Sequence, residues 1–445
     1  MKRVRKSSDS KPVPFEMRRI GRSGLKHNGG FIAEEFLRDL HGFKAMRVYR
    51  EMFDNEPSLA AVYWLLETFI SQVTFNITPS DAERQSSLDI ASFVFECMHD
   101  MEHSWQRIPQ ESMTAVKFGH APQEIIYKTR EGENEDPSRR SKFSDGRIGW
   151  RRFSLRAQDS IYRWKMANEY DPVNGDPDVA IAFEQLLNSG GGSSAEVPLS
   201  KCFHFRIRDH LDNPEGQSLG RPCYPSWYAL KNIEYFESVG IERDTAGLLV
   251  MEVPPTMVTV GASSTDTATL DALMDQLGQV HSGERAALAI PSEDIGNQKS
   301  GFKFRVERGA GSRTIDTDVV IRRKRSDMLR AFLADFLVLG HDSVGSKSLV
   351  ESRTDTFILA LEMILDKFCG DFTAQAIVPL MRFNAVPRED WPTMTHGQIV
   401  GPTPEVVAAF ISTMISCGVL TPGPEIEAFT RSIGGLPQLS GDSRG

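Results

Sequence analysis

Apolar positions between Phe31 and about Phe118 recur mainly at helical spacing. Ala60, Ala61, Trp64, Leu65 and Phe69 follow one such repeat, behind Asn55 as a cap and Pro57 as a first-turn residue. Val73–Thr78 alternates with period two and stops at Pro79, the mark of a strand. Asp81 is expected to cap the next helix, which carries Leu88, Ile90, Phe93, Val94 and Cys97. A further helix is expected from about Gln110 to Phe118, ended by Gly119, with Glu124–Tyr127 as a strand.

Residues 129–148 are polar and mixed in charge. Short strands are expected at Trp150–Leu155, Ile161–Met166 and Phe203–Ile207, with a flexible loop at Asn188–Ser194. Residues 130–208 therefore read as a compact β-containing insertion between helices. Tyr224, Trp227, Tyr228, Lys231, Tyr235 and Phe236 then give a helix with a heavy aromatic face. Strands are expected at Leu248–Val253, Ala286–Ile290 and Phe302–Val306, and helices at Leu270–Val280, 325–339 and around Phe357–Phe368. Two shorter helices are expected between Pro404 and Arg431. The pattern is α+β, without the regular alternation of a doubly wound sheet.

Composition narrows the class. The chain has 445 residues, 40% hydrophobic and 25% charged, so it folds and exceeds a single core. No uncharged apolar run reaches the ~18 residues that would span a bilayer, and the N-terminus lacks the apolar stretch of a secretory signal. Net charge is -9, although the first 30 residues carry nine Lys or Arg against Asp9 and Glu16. The rest is therefore acidic and unsuited to gripping phosphates over a broad face, and the arm reads as a solvated tail. Five cysteines without a C-x-x-C pair read as buried free thiols.

Three short patterns resemble enzyme motifs. His99-Asp-Met-Glu102-His103 fits H-x-x-E-H, which on a helix aligns two imidazoles for zinc with Glu102 as base. Gly216-Gln-Ser218-Leu-Gly220 fits the G-x-S-x-G of serine hydrolases, but the polar run Asp209–Glu215 precedes it where a core strand is needed. Gly340-His-Asp-Ser-Val-Gly345-Ser-Lys347-Ser348 misses a phosphate-binding loop by the inserted Ser346 and follows an expected helix instead of a strand. A serine hydrolase using Ser218 and a zinc hydrolase at His99, Glu102 and His103 remain the alternatives.

An ordered series of segments points elsewhere. Phe118–Tyr127, Phe203–Arg208, Pro214–Arg221, the Lys231 helix, Glu242–Gly247 before a strand and Pro254, Gly345–Leu349, Val378–Asn384, and Gly418 to Pro437 resemble, in order and spacing, the phage portal proteins of the Mu-like branch. The resemblance spans about residues 30–437. It implies a portal fold of long helices (wing, stem, crown) and a small β-containing clip, assembled as a homo-oligomeric ring of about twelve copies. By order, residues 1–30 are a basic arm, 31–110 the first part of the wing, 111–130 a stem helix and 131–217 the clip. Residues 218–245 are then a stem helix, 246–390 wing and 391–445 crown.

The resemblance implies a virion protein at the capsid portal vertex, assembled in the host cytoplasm. Double-stranded DNA would pass through its channel during packaging and ejection. Its partners would be the terminase large subunit, the major capsid protein and head-completion or neck proteins, with no membrane, cofactor, metal or catalytic residue. The segment 340–349 would be a tunnel loop, with His341, Ser343, Ser346, Lys347 and Ser348 at the DNA channel. Lys347 would give a thin cationic collar that touches phosphates without holding them.

Overall fold

The computed structural model describes residues 23–399, except 137, 168–178, 188–192, 247, 259–260, 281–286, 292–302, 308–315 and 335–346. A hairpin of β1 (His27–Asn28) and β2 (Phe31–Ile32) leads into α1 (Gly42–Asn55) and α2 (Pro57–Gln72). Then come β3 (Phe75–Thr78), α3 (Gln85–His99), α4 (Arg107–Ser112) and α5 (Thr114–Phe118). Six strands follow: β4 (His120–Thr129), β5 (Ile148–Leu155), β6 (Ile161–Met166), β7 (Ala180–Leu186), β8 (Ser194–Pro198) and β9 (Cys202–Arg206). Beyond them lie α6 (Tyr224–Ala246), β10 (Leu248–Val253), α7 (Pro255–Val258), α8 (Ser264–Val280), β11 (Ala287–Pro291), β12 (Lys303–Glu307) and α9 (Thr317–Ala331). The described chain closes with α10 (Lys347–Phe372), a π-helical turn at Thr373–Ile377, α11 (Val378–Phe383) and β13 (Thr393–His396). It divides into two units. The first comprises residues 1–50, 63–218 and 354–445, the second 51–62 and 219–353.

In the first unit β4 is the centre of an antiparallel sheet ordered β5-β4-β9. Its core is aromatic. Phe372 of α10 lies 5.1–5.6 Å, centroid to centroid, from Trp105, Trp150, Phe153 and Phe203. One turn earlier Phe368 packs on Phe75, Phe203 and Phe205 at 5.4–5.8 Å. All are buried. Such pairs add roughly 0.5–1.5 kcal/mol each beyond the area they bury.

Two side-chain amides also protect the sheet's outer strands. Gln375, on the π-helical turn, accepts the His204 N–H on β9 at 2.7 Å. Asn384, just past α11, accepts the Ile148 N–H on β5 and donates to the Ile148 carbonyl, both at 2.9 Å. Edge strands carry unpaired backbone groups that invite foreign strands, and these amides occupy one position on each edge. A second antiparallel sheet, β6-β7-β8, is filled by Trp164, Phe183 and Val197, and β13 pairs with β3.

In the second unit β10 pairs in parallel with β11 and antiparallel with β12. α6 packs against α9. Arg325 reaches Glu234 at 2.7 Å and Glu56 at 3.4 Å. α9 buries Ile321, Met328 and Leu329 along one face.

The structure corrects several expectations. Residues 111–130 are not one helix: α5 stops at Gly119 (φ 94°), and 120–129 is strand β4. Its Gln123, Ile125 and Tyr127 follow the period of a strand. The β-containing segment expected at 130–208 does lie between α5 and α6, but it begins at His120, because β4 is the centre of the sheet that β5 and β9 flank. Residues 246–353 fall in the second unit and 354–390 in the first, and β13 pairs with β3, which leaves the expected wing and crown untested. The helix expected at 325–339 begins earlier, where Asp316 accepts the N–H groups of Asp318 and Val319, and it ends at Ala331. Asp81 accepts the Glu83 N–H in a turn and does not cap α3. The helices expected between 404 and 431 and most of 188–194 lie outside the described residues.

Removing an edge amide exposes the backbone it covers. Asn384→Ala is expected to cost about 1–3 kcal/mol, read by denaturant unfolding. The Ile148 amide should also exchange faster with solvent. A loss below about 0.5 kcal/mol would contradict this role.

Candidate functional site

The first glycine of the G-x-S-x-G match is explained by a backbone crossing. Gly119 (φ +94°) and Gly216 (φ +56°) meet where the end of α5 passes the 213–218 loop. A Cβ on Gly119 would lie 2.4 Å from the Glu215 carbonyl oxygen, and one on Gly216 equally close to the Gly119 oxygen. Only glycine fits at such contacts. Ser218 is buried and donates to the Val116 carbonyl at 3.1 Å. Its hydroxyl ties the loop to α5 instead of facing a substrate.

The zinc-like motif comes apart in the same way. α3 ends at His99, so the helix that would align the two imidazoles is missing. His103 uses both ring nitrogens: Nε2 accepts the Phe153 N–H at 3.0 Å, and Nδ1 donates to the Ser104 carbonyl. Glu102 pairs with Arg151 at 2.6 Å, and His99 bonds the Phe95 carbonyl. Asp100 is the structural member of the motif. It is buried against Lys128 at 3.0 Å and receives the Ser141 hydroxyl and the Lys142 N–H. Burial opposes its charge, but the hydrogen bonds from Lys142, Ser141 and Lys128 outweigh it and hold the carboxyl below its usual range. Among the described residues no group of three or more His, Cys, Asp or Glu could hold a metal. Cys97, Cys202, Cys223 and Cys369 are free and buried, each thiol pushed up to about 12, chiefly by burial.

Sequence reasoning missed a buried polar knot beside the crossing. His120 on β4 donates through Nδ1 to the Glu215 carbonyl at 3.1 Å, and His204 on β9 through Nε2 to the Pro214 carbonyl at 2.7 Å. The rings are 5.8 Å apart, and Trp164 packs on both. His120 Nε2 and His204 Nδ1 have no partner. Burial drops His120 to about 4 and His204 well below its usual value, so both are neutral. Burial pushes the Glu215 carboxyl up to about 7, against the bond it accepts from Trp164 Nε1 at 3.2 Å. The knot ties three strands to one loop. Glu215 closes the polar run Asp209–Glu215, whereas His204 sits inside the apolar strand pattern 203–207, so nothing in the sequence linked the two.

These geometries leave no assembled nucleophile or base in the G-x-S-x-G and H-x-x-E-H motifs and no metal centre among the described residues. The family described as "Portal protein of Mu bacteriophage" matches residues 46–429, most of the chain. The chain belongs to this portal family. Among curated proteins, none matches the sequence. Similar solved structures include a chain from the neck of an empty gene transfer agent particle computed with C6 symmetry. It is 10% identical over 91% of this chain and 95% of that one, with a TM-score of 0.49. Another, from the neck of a native particle computed with C12 symmetry, is 11% identical over 92% and 97%, with a TM-score of 0.48. A third, from the virion of the native particle, is 10% identical over 91% and 95%, at 0.47.

Of the residues expected at a DNA channel, His341, Ser343 and Ser346 lie outside the described residues. Lys347 and Ser348 are the first two residues of α10. Among the described residues of the second unit, α6 exposes an aromatic stripe, with Tyr228, Tyr235 and Phe236 54%, 63% and 70% exposed. No helix among the described residues is long and apolar enough to cross a membrane.

Two outcomes follow from the knot and the crossing. A carboxyl raised from 4.5 to about 7 makes the folded state hold its proton more tightly. Stability is then full below pH 4.5 and falls as pH rises to 7. Glu215→Gln, which mimics the protonated form, is expected to gain about 2–3 kcal/mol over the wild type at pH 8 and almost nothing at pH 4. Equal effects at both values would contradict the raised carboxyl. Gly119→Ala should abolish soluble folding, whereas Ser218→Ala should cost only about 1 kcal/mol. An ester-hydrolysing wild type silenced by Ser218→Ala would overturn the structural role.

Proposed function

We propose that the chain closes into a ring of about twelve copies that forms the DNA channel at one vertex of a phage-type capsid. Double-stranded DNA would pass through it during packaging and ejection, and the ring would stay in the virion after assembly in the host cytoplasm. The observation that carries this reading is the family match across residues 46–429.

The second unit suits the stem and clip. The expected clip at 131–217 relied on a stem helix at 111–130, which is strand from 120. A helix, a small β-containing module and a second helix instead occur in order as α6, the β10-to-β12 segment and α9. We assign α6 and α9 to the stem and 248–307 to the clip, where the terminase large subunit and later the head-completion or neck proteins would dock. The first unit takes the wing, facing the major capsid protein, with the crown toward 400–445. The segment between α9 and α10 stays the proposed tunnel loop, with Lys347 at its end.

The α6 stripe supports ring closure. Tyr228, Tyr235 and Phe236 are large, apolar and wet in a single copy. A heterologous contact that closes by rotation would cover them in every copy.

Light scattering tests both parts. The wild type is expected at about twelve times the monomer mass, and Tyr235→Ser with Phe236→Ser at a much smaller mass. A wild type that stays monomeric at micromolar concentration would sink the reading. Cross-links to terminase should fall on 248–307, and cross-links concentrated on 131–217 would return the clip to its expected place.

A further inference from the structure

We propose that the outward face of α9 contacts the phosphates of double-stranded DNA, an assignment that rests on the portal reading. The inner face of α9 is fixed by Ile321, Met328 and Leu329, and by Arg325 held between Glu234 and Glu56. Opposite them Val319, Arg323, Ser326 and Arg330 recur at i, i+4, i+7 and i+11, a single helical stripe. Arg322 flanks it. Val319, Arg322, Arg323 and Arg330 are all exposed.

The charge on this helix departs from the chain around it. Five of its residues are cationic (Arg322, Arg323, Lys324, Arg325, Arg330) and two acidic (Asp318, Asp327), within a protein of net charge -9. Four of the cations are consecutive, and the local potential rises accordingly. Internal pairing engages Arg325, held by Glu234 and Glu56 on the inner face, and two of the outer cations. Arg322 pairs with Asp318, and Arg330 with Asp327 at 3.6 Å. Both pairs lie open to solvent, where such contacts hold with roughly 0–1 kcal/mol and exchange readily for another anion. Arg323 and Lys324 have no ion-pair partner among the described residues.

A surface of this kind selects a regularly spaced polyanion. Guanidinium groups present a planar fork that meets a phosphate with two parallel hydrogen bonds, and Ser326 adds a neutral donor between Arg323 and Arg330. Contacts to phosphate oxygens carry no base identity, so the contact is expected to ignore sequence. Two or three phosphates per copy are too few to hold DNA alone. Repeated around a ring they would guide it, with strong dependence on salt.

The test uses the full chain, wild type and an Arg322→Ser, Arg323→Ser, Arg330→Ser triple variant. Fluorescence anisotropy follows a 30-base-pair duplex from 50 to 200 mM salt, and light scattering follows ring mass. The triple variant is expected to keep its ring, bind at least tenfold more weakly at 100 mM salt and show a shallower salt slope. The matching Arg→Lys triple should keep most of the binding. A Lys44→Ser, Lys201→Ser control on exposed lysines of the first unit should bind like wild type. Unchanged binding in the Ser triple, an equal loss in the control, or a wild type that ignores DNA but captures poly-glutamate would each overturn the proposal. So would a Ser triple that loses its ring, because the face would then serve subunit contact. A wild type that forms no ring yet binds DNA through this stripe would instead fail the portal reading alone.

Discussion

The aromatic core around Phe368 and Phe372 is the constraint on which the first unit depends. It joins residues far apart in sequence: Phe75 and Trp105 from the helical start, Trp150, Phe153, Phe203 and Phe205 from the sheet, and α10 near the end. The chain leaves this unit at Ser218 and re-enters it at Thr354, with the whole of 219–353 between. Most of the second unit, 219–353, is thus an excursion with both ends in the first, joined by the short segment 51–62. Such closure costs loop entropy that grows only slowly with length, so a long excursion is tolerated once the aromatic core forms. Gln375 and Asn384 extend the same logic, since the helices that bring Phe368 and Phe372 to the sheet also deliver the amides that cover its edges.

The sequence disclosed local structure better than partnership. Alternation at 150–155 and 161–166 marked β5 and β6 because each strand carries its own period. The aromatic spacing of 224–236 marked α6, and Pro57 marked the start of α2. Pairing left no such trace. That β4 takes β5 and β9 on its two sides depends on non-local contacts, and reading 111–130 as one helix followed from weighting family order over the alternation of 123–127. The false motifs had physical sources as well. Gly216 is required by the crossing with Gly119, Ser218 by a carbonyl on α5, and Asp100, in the middle of the zinc-like pattern, by Lys128. Each residue had a demanding place, but the demand was structural. The knot of His120, His204 and Glu215 was invisible because its members come from two strands and a loop.

Function in this account lies in surfaces and their chemistry. α6 and α9 pack against each other, and each turns a different exposed face away: aromatic on α6, cationic on α9. Apolar and charged faces suit different neighbours, a second copy for the first and a polyanion for the second. A conduit needs both, tight contact between copies and loose contact with what moves through. The acidic balance of the rest of the chain fits the second requirement, since strong neutralisation of phosphates would arrest sliding.

The central claim is that this chain builds a channel, and electron microscopy of the purified protein tests it most directly. The account predicts closed rings with an open axial passage wide enough for a duplex, and α6 and α9 of every copy surrounding it. Compact particles without a passage, or rings with α6 and α9 on the outer rim, would contradict it.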